Sequence, residues 1–563
     1  MNSNGSRKRP RSPRVTALEF APGRLAQFWR AARRRDVLPR LALTLASVAA
    51  MASVMQAWAP PFKYHVGYVP GRNITAREGF DIPDPLAIGM ETQKFIHFEK
   101  GETIVKAEQA LTAESLEVLR AEHQAFLEKL TRVRMVERLL AVVALILSLF
   151  TLCGYYVYYR DRRLVADLRR FSITLVMAVV AVLLARWTAP DPWRAEVIPL
   201  LLFGMTFGIA YGRELALVFS LALCVLLAVA DGYSLAELIV VVGVVAAAVV
   251  QINRVRSRRK LIKVGFYAGL FAPLLTIGVG LLNEQPLSTP LLTAAARNGV
   301  WTLLAGFLVT GLLPFIEGLF GVLTEISLLE LGDVAHPLLQ ELVRRAPGTY
   351  NHSINVASIA EAAAESVGAR GLLVRVGAYF HDIGKMLKPH YFVENQGNEA
   401  SRHDSLVPAM STLIIIAHIK DGADLARAHH LPEPIIEFIE QHHGTTLVEY
   451  FYRRANEQSE SNPDAGQVEE SSFRYPGPKP LSIEAAVLML ADAVESASRV
   501  LVEPTPARIE SLVEEIAMKK LLDGQFDECD LTLKQLRVIQ DSLVKSLTAV
   551  YHGRLKYPDQ RTA

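Results

Sequence analysis

A chain of 563 residues, 51% of them hydrophobic and with a positive mean hydropathy, is too long for one compact domain and too apolar for an ordinary soluble protein. A net charge of +3 points to no class of partner until the charges are located along the chain. The three cysteines, Cys153, Cys224 and Cys529, lie far apart, which excludes a disulfide framework and a thiolate metal site and leaves histidines and carboxylates to hold any metal.

Residues 1–38 form a basic tail containing RKRPRSPR and RAARRR. The apolar run Leu41 to Trp58, within residues 39–58, is longer than a signal-peptide core and lacks a small-residue cleavage site, so it reads as a retained membrane anchor. Residues 59–138 then make a short extracytoplasmic region, turn-rich in its first half (GYVPGRNITAREGFDIPDP) and helical in its periodicity afterwards. Seven more apolar runs fill residues 139–322: Leu139 to Tyr159, Phe171 to Ala185, Val197 to Tyr211, Leu215 to Ala230, Leu238 to Ile252, Val264 to Leu282 and Val300 to Phe320. Eight such runs in succession are hard to bury except in a bilayer, whose roughly 30 Å core takes about 20 helical residues.

Basic residues cluster in the tail, in the loop with Arg160, Arg162, Arg163, Arg169 and Arg170, and in the loop with Arg254, Arg256, Arg258, Arg259 and Lys260. The positive-inside rule places these loops, and with them residues 323–563, in the cytoplasm. The spans hold almost no ionisable residues, Glu317 being the chief exception, which argues against a transporter. Residues 323–563 open as helix, turn, helix, with Pro347-Gly348-Thr349 as breaker and N-terminal cap, and keep a 3.6-residue periodicity with no strand pattern. The expected fold class is therefore all-α: a polytopic membrane helix bundle followed by an all-helical cytoplasmic domain, with polar Asn456 to Pro480 as an inserted loop.

Nine of the fourteen histidines fall between His352 and His443. His352 is followed after 29 residues by the pair His381-Asp382, then by His418, by the pair His442-His443, and by Asp492. Imidazoles with a few carboxylates suit divalent transition metals better than Mg. Asp382, beside His381, is the natural bridging carboxylate of a two-metal centre.

This ordered set, H, HD, H, HH, D, resembles the metal-dependent HD-domain phosphohydrolases. The strings APGTYNHS, FHDIGKMLKPHYFVENQ, HIKDGADLA, FIEQHHGTT, FRYPGPKP and MLADAVESASR look like one subfamily, the bacterial seven-transmembrane HD-domain (PgpH-like) phosphodiesterases that hydrolyse cyclic di-AMP. The resemblance implies that His352, His381, Asp382 and Asp492 hold one metal, and that Asp382 bridges to a second held by His418, His442 and His443. It implies two divalent ions, Mn or Fe, that activate water against a phosphodiester and release linear pApA. The implied setting is a bacterial plasma membrane, with a cyclic dinucleotide and the lipid bilayer as partners, no nucleic-acid polymer, and homodimerisation left open. The family usually carries a much larger extracytoplasmic domain than residues 59–138 provide.

Lys385, shortly after the HD pair, is placed to contact a phosphate or protonate a leaving oxygen. Lys420 and Arg499 are candidate phosphate ligands, and Tyr391 and Asn395 candidate adenine contacts. Ion pairing or packing is the alternative for all five. Cyclic di-GMP hydrolysis is the rival activity, but that HD class carries GYP after its histidine pair and this chain continues HHGTTLVEYFY. A nucleotide receptor without catalysis is the rival from another class, and a missing ligand would signal it; none of the seven is missing.

Overall fold

The computed structural model describes residues 37–83, 95–252, 255, 257–396, 401–461 and 468–552. The basic strings of the tail, Arg254 and Arg256 lie outside the described residues. Two compact units divide the chain, Met1–Phe320 and Gly321–Ala563.

In the first unit α1 (Val37–Val54) is followed by four short strands, β1 (Ile74–Thr75), β2 (Phe80–Pro83), β3 (Phe95–Phe98) and β4 (Thr103–Val105). They pair antiparallel as β1 with β4 and β2 with β3, the latter in register Phe80 to Phe98 and Asp81 to His97. The sequence promised only turns here, because strands this short show no readable alternation. Helix α2 (Ala113–Glu128) starts at a capping box of Thr112 and Ser115 and packs Leu119 with Val105 and Leu111 in a small core. Its buried Glu122 receives both the backbone N–H and the guanidinium of Arg77.

The apolar runs become α3 (Arg132–Arg160), the short α4 (Arg162–Ala166), α5 (Leu168–Thr188), α6 (Val197–Tyr211), α7 (Arg213–Asp231), α8 (Leu235–Gln251), α9 (Arg258–Leu282) and α10 (Thr289–Phe320). Six helices, α1, α3, α5, α7, α9 and α10, are long and apolar enough to cross a membrane, while α6 and α8 are shorter apolar helices. At about 1.5 Å per residue those two fall short of the roughly 30 Å hydrocarbon core. One end of the bundle is basic: Arg40 Nε donates to Val165 O at 2.6 Å and Arg160 pairs with Glu214 at 2.9 Å. At the other end Arg138 Nε donates to Ala59 O, and Trp301 Nε1 to Trp193 O. Helices α3, α9 and α10 begin well before their apolar runs and carry polar residues such as Arg297 into the bundle. Together with buried Glu196, this corrects the expectation of spans almost free of ionisable side chains.

The second unit contains α11 (Glu325–Leu331), α12 (Pro337–Arg345), α13 (Pro347–Ser366), α14 (Gly371–Phe380), α15 (Pro408–Ala428), α16 (Glu433–Gln441), α17 (Glu449–Glu460), α18 (Ile483–Ser498), α19 (Pro506–Leu522) and α20 (Leu533–His552). Among the described residues it has no strand, only an isolated bridge between Leu447 and Arg474. Helix α18 is its axis: every residue from Ala485 to Ala491 is buried, as expected of a helix that is apolar on all sides. Thr349 is not the cap of α13. Pro347 takes the first helical position after Ala346, and the Thr349 N–H is served from outside by Asn395 Oδ1 at 3.2 Å.

Candidate metal centre

Each histidine and carboxylate singled out above sits on or at the end of a helix that packs on α18 or its neighbours. His352 lies on α13, His381 caps the C-terminus of α14 with Asp382 next, His418 lies on α15, His442 caps α16 with His443 next, and Asp492 lies on α18. The turn after Asp382 can reach α15 because Gly384 has no Cβ; a side chain there would collide with the His418 carbonyl. That close approach sets His381 and Asp382 against His418.

Three imidazoles are oriented by one device. His381, His418 and His442 each place Nδ1 against the carbonyl three residues back, of Ala378 at 2.7 Å, Ile415 at 2.5 Å and Ile439 at 2.9 Å. A carbonyl only accepts, so Nδ1–H is the donor and each neutral ring keeps a bare lone pair on Nε2. His352 is held differently, with Nδ1 2.5 Å from Glu495 Oε2 and Nε2 2.9 Å from Asp492 Oδ1.

What the free lone pairs face tests whether a cation belongs here. His418 Nε2 and His442 Nε2 lie 3.3 Å apart, and Asp382 Oδ1 lies 3.4 Å from the first and 3.6 Å from the second. Asp382 Oδ1 and His381 Nε2 are both buried without a hydrogen-bond partner. The His418 and His442 lone pairs and Asp382 Oδ1, gathered this closely with no donor among the three, repel one another, and a metal cation resolves that repulsion. Ligand atoms within 4.8 Å of one another form the groups His418, His442, His443; His352, His381, Asp492; and His381, Asp382, His442. The residues present therefore fit divalent metal, with Asp382 between the groups.

Electrostatics differ across the cluster. Burial disfavours charge on His381, but the carboxylates of Asp382 and Asp492 outweigh it and hold its pKa up at about 10, so a metal bound there displaces the proton on its Nε2. Burial pushes His418 down to about 3, and His443 is likewise held well below the usual imidazole range by burial and by His442. Burial alone would raise Asp382 and Asp492; their histidine neighbours reverse this and keep both far below the ordinary carboxylate range. His418 and His443 are thus neutral and ready to ligate.

Lys385 joins this site. It lies on a 3₁₀ turn with Nζ 2.7 Å from Asp382 Oδ2 and 2.9 Å from Glu394 Oε1, and those two carboxylates raise its pKa against burial. The other candidates are not brought to the metal ligands. Lys420 is exposed, because two residues along a helix from His418 is about 200° around it, on the opposite face. Arg499 is spent on Glu495, at 2.6 Å. Asn395 serves Thr349 through both side-chain atoms. The Tyr391 ring packs on His403, and its carbonyl oxygen lies 2.8 Å from His403 Nε2. Sequence reasoning missed Glu495, Glu394 and Tyr475, whose ring stacks on His443 at 4.4 Å. Glu495 was accessible to it, since it lies one helical turn after Asp492 on the same face.

Residues 137–324 match the family described as "7TM receptor with intracellular HD hydrolase", and residues 349–497 match the HD domain. In chain order the two matches are those of a membrane region followed by an HD domain. The chain is accordingly a multi-pass membrane protein whose HD domain carries the cluster. It is 43% identical over 320 residues to the cyclic-di-AMP phosphodiesterase PgpH of Listeria monocytogenes serotype 1/2a (strain 10403S), a match covering 56% of this chain and 43% of that protein. It is 44% identical over 307 residues to PgpH of Bacillus subtilis (strain 168), covering 54% and 42%. The chain thus spans less than half the length of these curated relatives. The crystal structure of the L. monocytogenes PgpH HD domain in complex with cyclic-di-AMP is 48% identical, covering 39% of this chain and all of that one, with a TM-score of 0.37.

Proposed function

We propose that this HD hydrolase is a phosphodiesterase that opens cyclic di-AMP to linear pApA, with residues 323–563 as its cytoplasmic catalytic domain in a bacterial plasma membrane. Residues 139–322 are the seven-helix membrane region on this reading, preceded by the anchor 39–58 and the extracytoplasmic region 59–138. The observation that carries it is the donor-free meeting of His418 Nε2, His442 Nε2 and Asp382 Oδ1 beside a second group of His352, His381 and Asp492. The activity of the two PgpH relatives names the substrate.

Two divalent cations, Mn or Fe, would supply a water-derived nucleophile at neutral pH and neutralise phosphate oxygens. His352, His381 and Asp492 would hold one and His418, His442 and His443 the other, with Asp382 shared between the two groups. The main-chain carbonyls of Ala378, Ile415 and Ile439 fix the rings so that no side-chain reorganisation accompanies binding. Glu495 holds His352 and is itself held by Arg499. Lys385 keeps its positive charge beside Asp382, where it attracts the scissile phosphate and stabilises charge building on its oxygens.

The test is hydrolysis by the full chain in detergent, stripped of metal and then given Mn²⁺, on cyclic di-AMP and cyclic di-GMP in parallel. Mn-dependent release of pApA with the adenine substrate preferred is expected. Equal or faster turnover of cyclic di-GMP overturns the substrate, and activity that survives stripping overturns the metal chemistry.

A further inference from the structure

A second polar site lies in the membrane unit, at the end of the bundle away from the basic loops. A cavity of about 600 Å³ opens between the segment after α1, the loop joining α5 to α6, the turn joining α7 to α8 and the α9–α10 connection. That volume is in the range of small-molecule sites, roughly 300–1,000 Å³. Valines of α6, α8 and α9 line much of it.

Its polar groups divide into those already satisfied and those left over. Arg194 donates to Glu237 Oε1 at 3.0 Å, and Glu237 also accepts from the Ser234 N–H and hydroxyl. Asn298 donates to Thr276 Oγ1 at 3.1 Å. These pairs build the wall. Glu196, only 8% exposed, has Oε2 buried with no hydrogen bond; although it stands at the start of α6, it makes no cap bond. The Tyr233 hydroxyl and Arg297 Nε are likewise buried without partners. All three residues line the cavity, and among the described residues neither arginine closes an ion pair with Glu196. An unbonded carboxylate oxygen and an unbonded guanidinium N–H lining one largely apolar cavity are costly to keep, and in a membrane helix bundle such groups mark ligand or ion sites.

We infer that this cavity binds a small zwitterion, its ammonium on Glu196 and its carboxylate or phosphate on Arg297 and Tyr233, with a short aliphatic body against the valines. The spare groups require both signs: Glu196 Oε2 accepts, whereas Arg297 Nε–H and the Tyr233 hydroxyl donate. A simple anion leaves Glu196 bare and a simple amine leaves Arg297 bare. Free α-amino acids carry this chemistry, and so does a phosphoethanolamine lipid headgroup. Binding is independent of the phosphodiesterase reading; only the side of the membrane from which the cavity is reached rests on it.

Full-length protein in a non-ionic maltoside detergent is titrated with glycine, L-alanine, L-serine, L-valine, L-leucine and O-phosphoethanolamine, and separately with short-chain phosphatidylethanolamine, reading thermal unfolding and calorimetric affinity. Saturable binding of at least one probe is expected. The N-acetyl form and the methyl ester of an amino-acid probe, or for the lipid the N-acetyl form and the matching phosphatidylglycerol, are expected to bind at least tenfold more weakly. Binding by the free probes assigns a soluble ligand, and binding by the lipid alone assigns the headgroup. Glu196→Gln and Arg297→Gln are each expected to weaken binding at least tenfold with the unliganded unfolding temperature held. If either variant fails to fold, the comparison of blocked and unblocked probes on the unaltered protein decides. Absence of binding in both arms, or equal affinity for the blocked forms, overturns the inference.

Discussion

The two polar clusters of this chain, one in the HD domain and one in the membrane bundle, are both buried and both contain unsatisfied atoms, yet the kinds of atom differ. At the candidate metal centre three Nδ1–H groups go to carbonyls, and what remains are lone pairs on Nε2 of His418 and His442 and on Asp382 Oδ1. In the membrane cavity an acceptor on Glu196 and donors on Tyr233 and Arg297 are left over together. A remainder of one sign calls for a bare cation, whereas a mixed remainder calls for a molecule with two ends. The chemistry of a site is thus read from what its internal hydrogen bonds fail to use.

The most damaging way to break the first half of this comparison is Asp382→Ala, which removes the carboxylate shared by both ligand groups. Turnover of cyclic di-AMP is expected to fall by about 10³-fold, the upper end for loss of one electrostatic contact, together with metal content measured by plasma mass spectrometry. Unchanged turnover removes the site from the mechanism. Glu495→Gln leaves every ligand in place and loosens only His352, so a loss of about 10- to 100-fold in metal affinity or activity is expected, with partial rescue at high Mn²⁺. Lys385→Ala takes away a charge-assisted contact, and a roughly 10-fold fall in kcat with metal content retained distinguishes it from the ligands.

A fully satisfied pair sharpens the contrast. Glu122 is buried and takes three hydrogen bonds from Arg77, which overcome burial and hold its pKa below the ordinary value of 4.5. A carboxyl depressed in the folded state contributes stability above that ordinary value and loses it as pH falls through the folded one. Proteolytic resistance of the α2 region is therefore expected to hold at neutral pH and decline below about pH 4.5, and Glu122→Gln is expected to flatten that decline. The smallest effect is expected for Lys420→Ala, within about twofold of the unaltered protein, as for an exposed side chain on the helix face opposite His418.

How far the sequence could be read follows the same division. Candidate metal ligands are chemically conspicuous, so His352, His381, Asp382, His418, His442, His443 and Asp492 stood out by their order and spacing, and the structure gathers all seven. Lys420 was singled out for nearness along the chain, where the helix turns nearness into opposition. Asn395 looked like a base contact because nothing in its surroundings announces that the N-terminus of α13 lies beside it and needs an acceptor. The membrane cavity escaped notice because Glu196, Glu237 and Arg297 stand just outside the apolar windows, while the helices α8 and α10 extend over the last two. Hydropathy marks where a span is greasy and is silent about which helix ends meet.

The carbonyls behind the three imidazoles have a consequence for how the site drifts. Ring orientation at His381, His418 and His442 comes from the main chain of Ala378, Ile415 and Ile439, and every amino acid supplies that same oxygen. Mutation at those three positions leaves the acceptor in place, so long as the helix end is kept. Of the four rings held by hydrogen bonds, His352 alone leans on a replaceable side chain, Glu495, which makes that pair the point at which a lineage can lose or retune the site in a single codon.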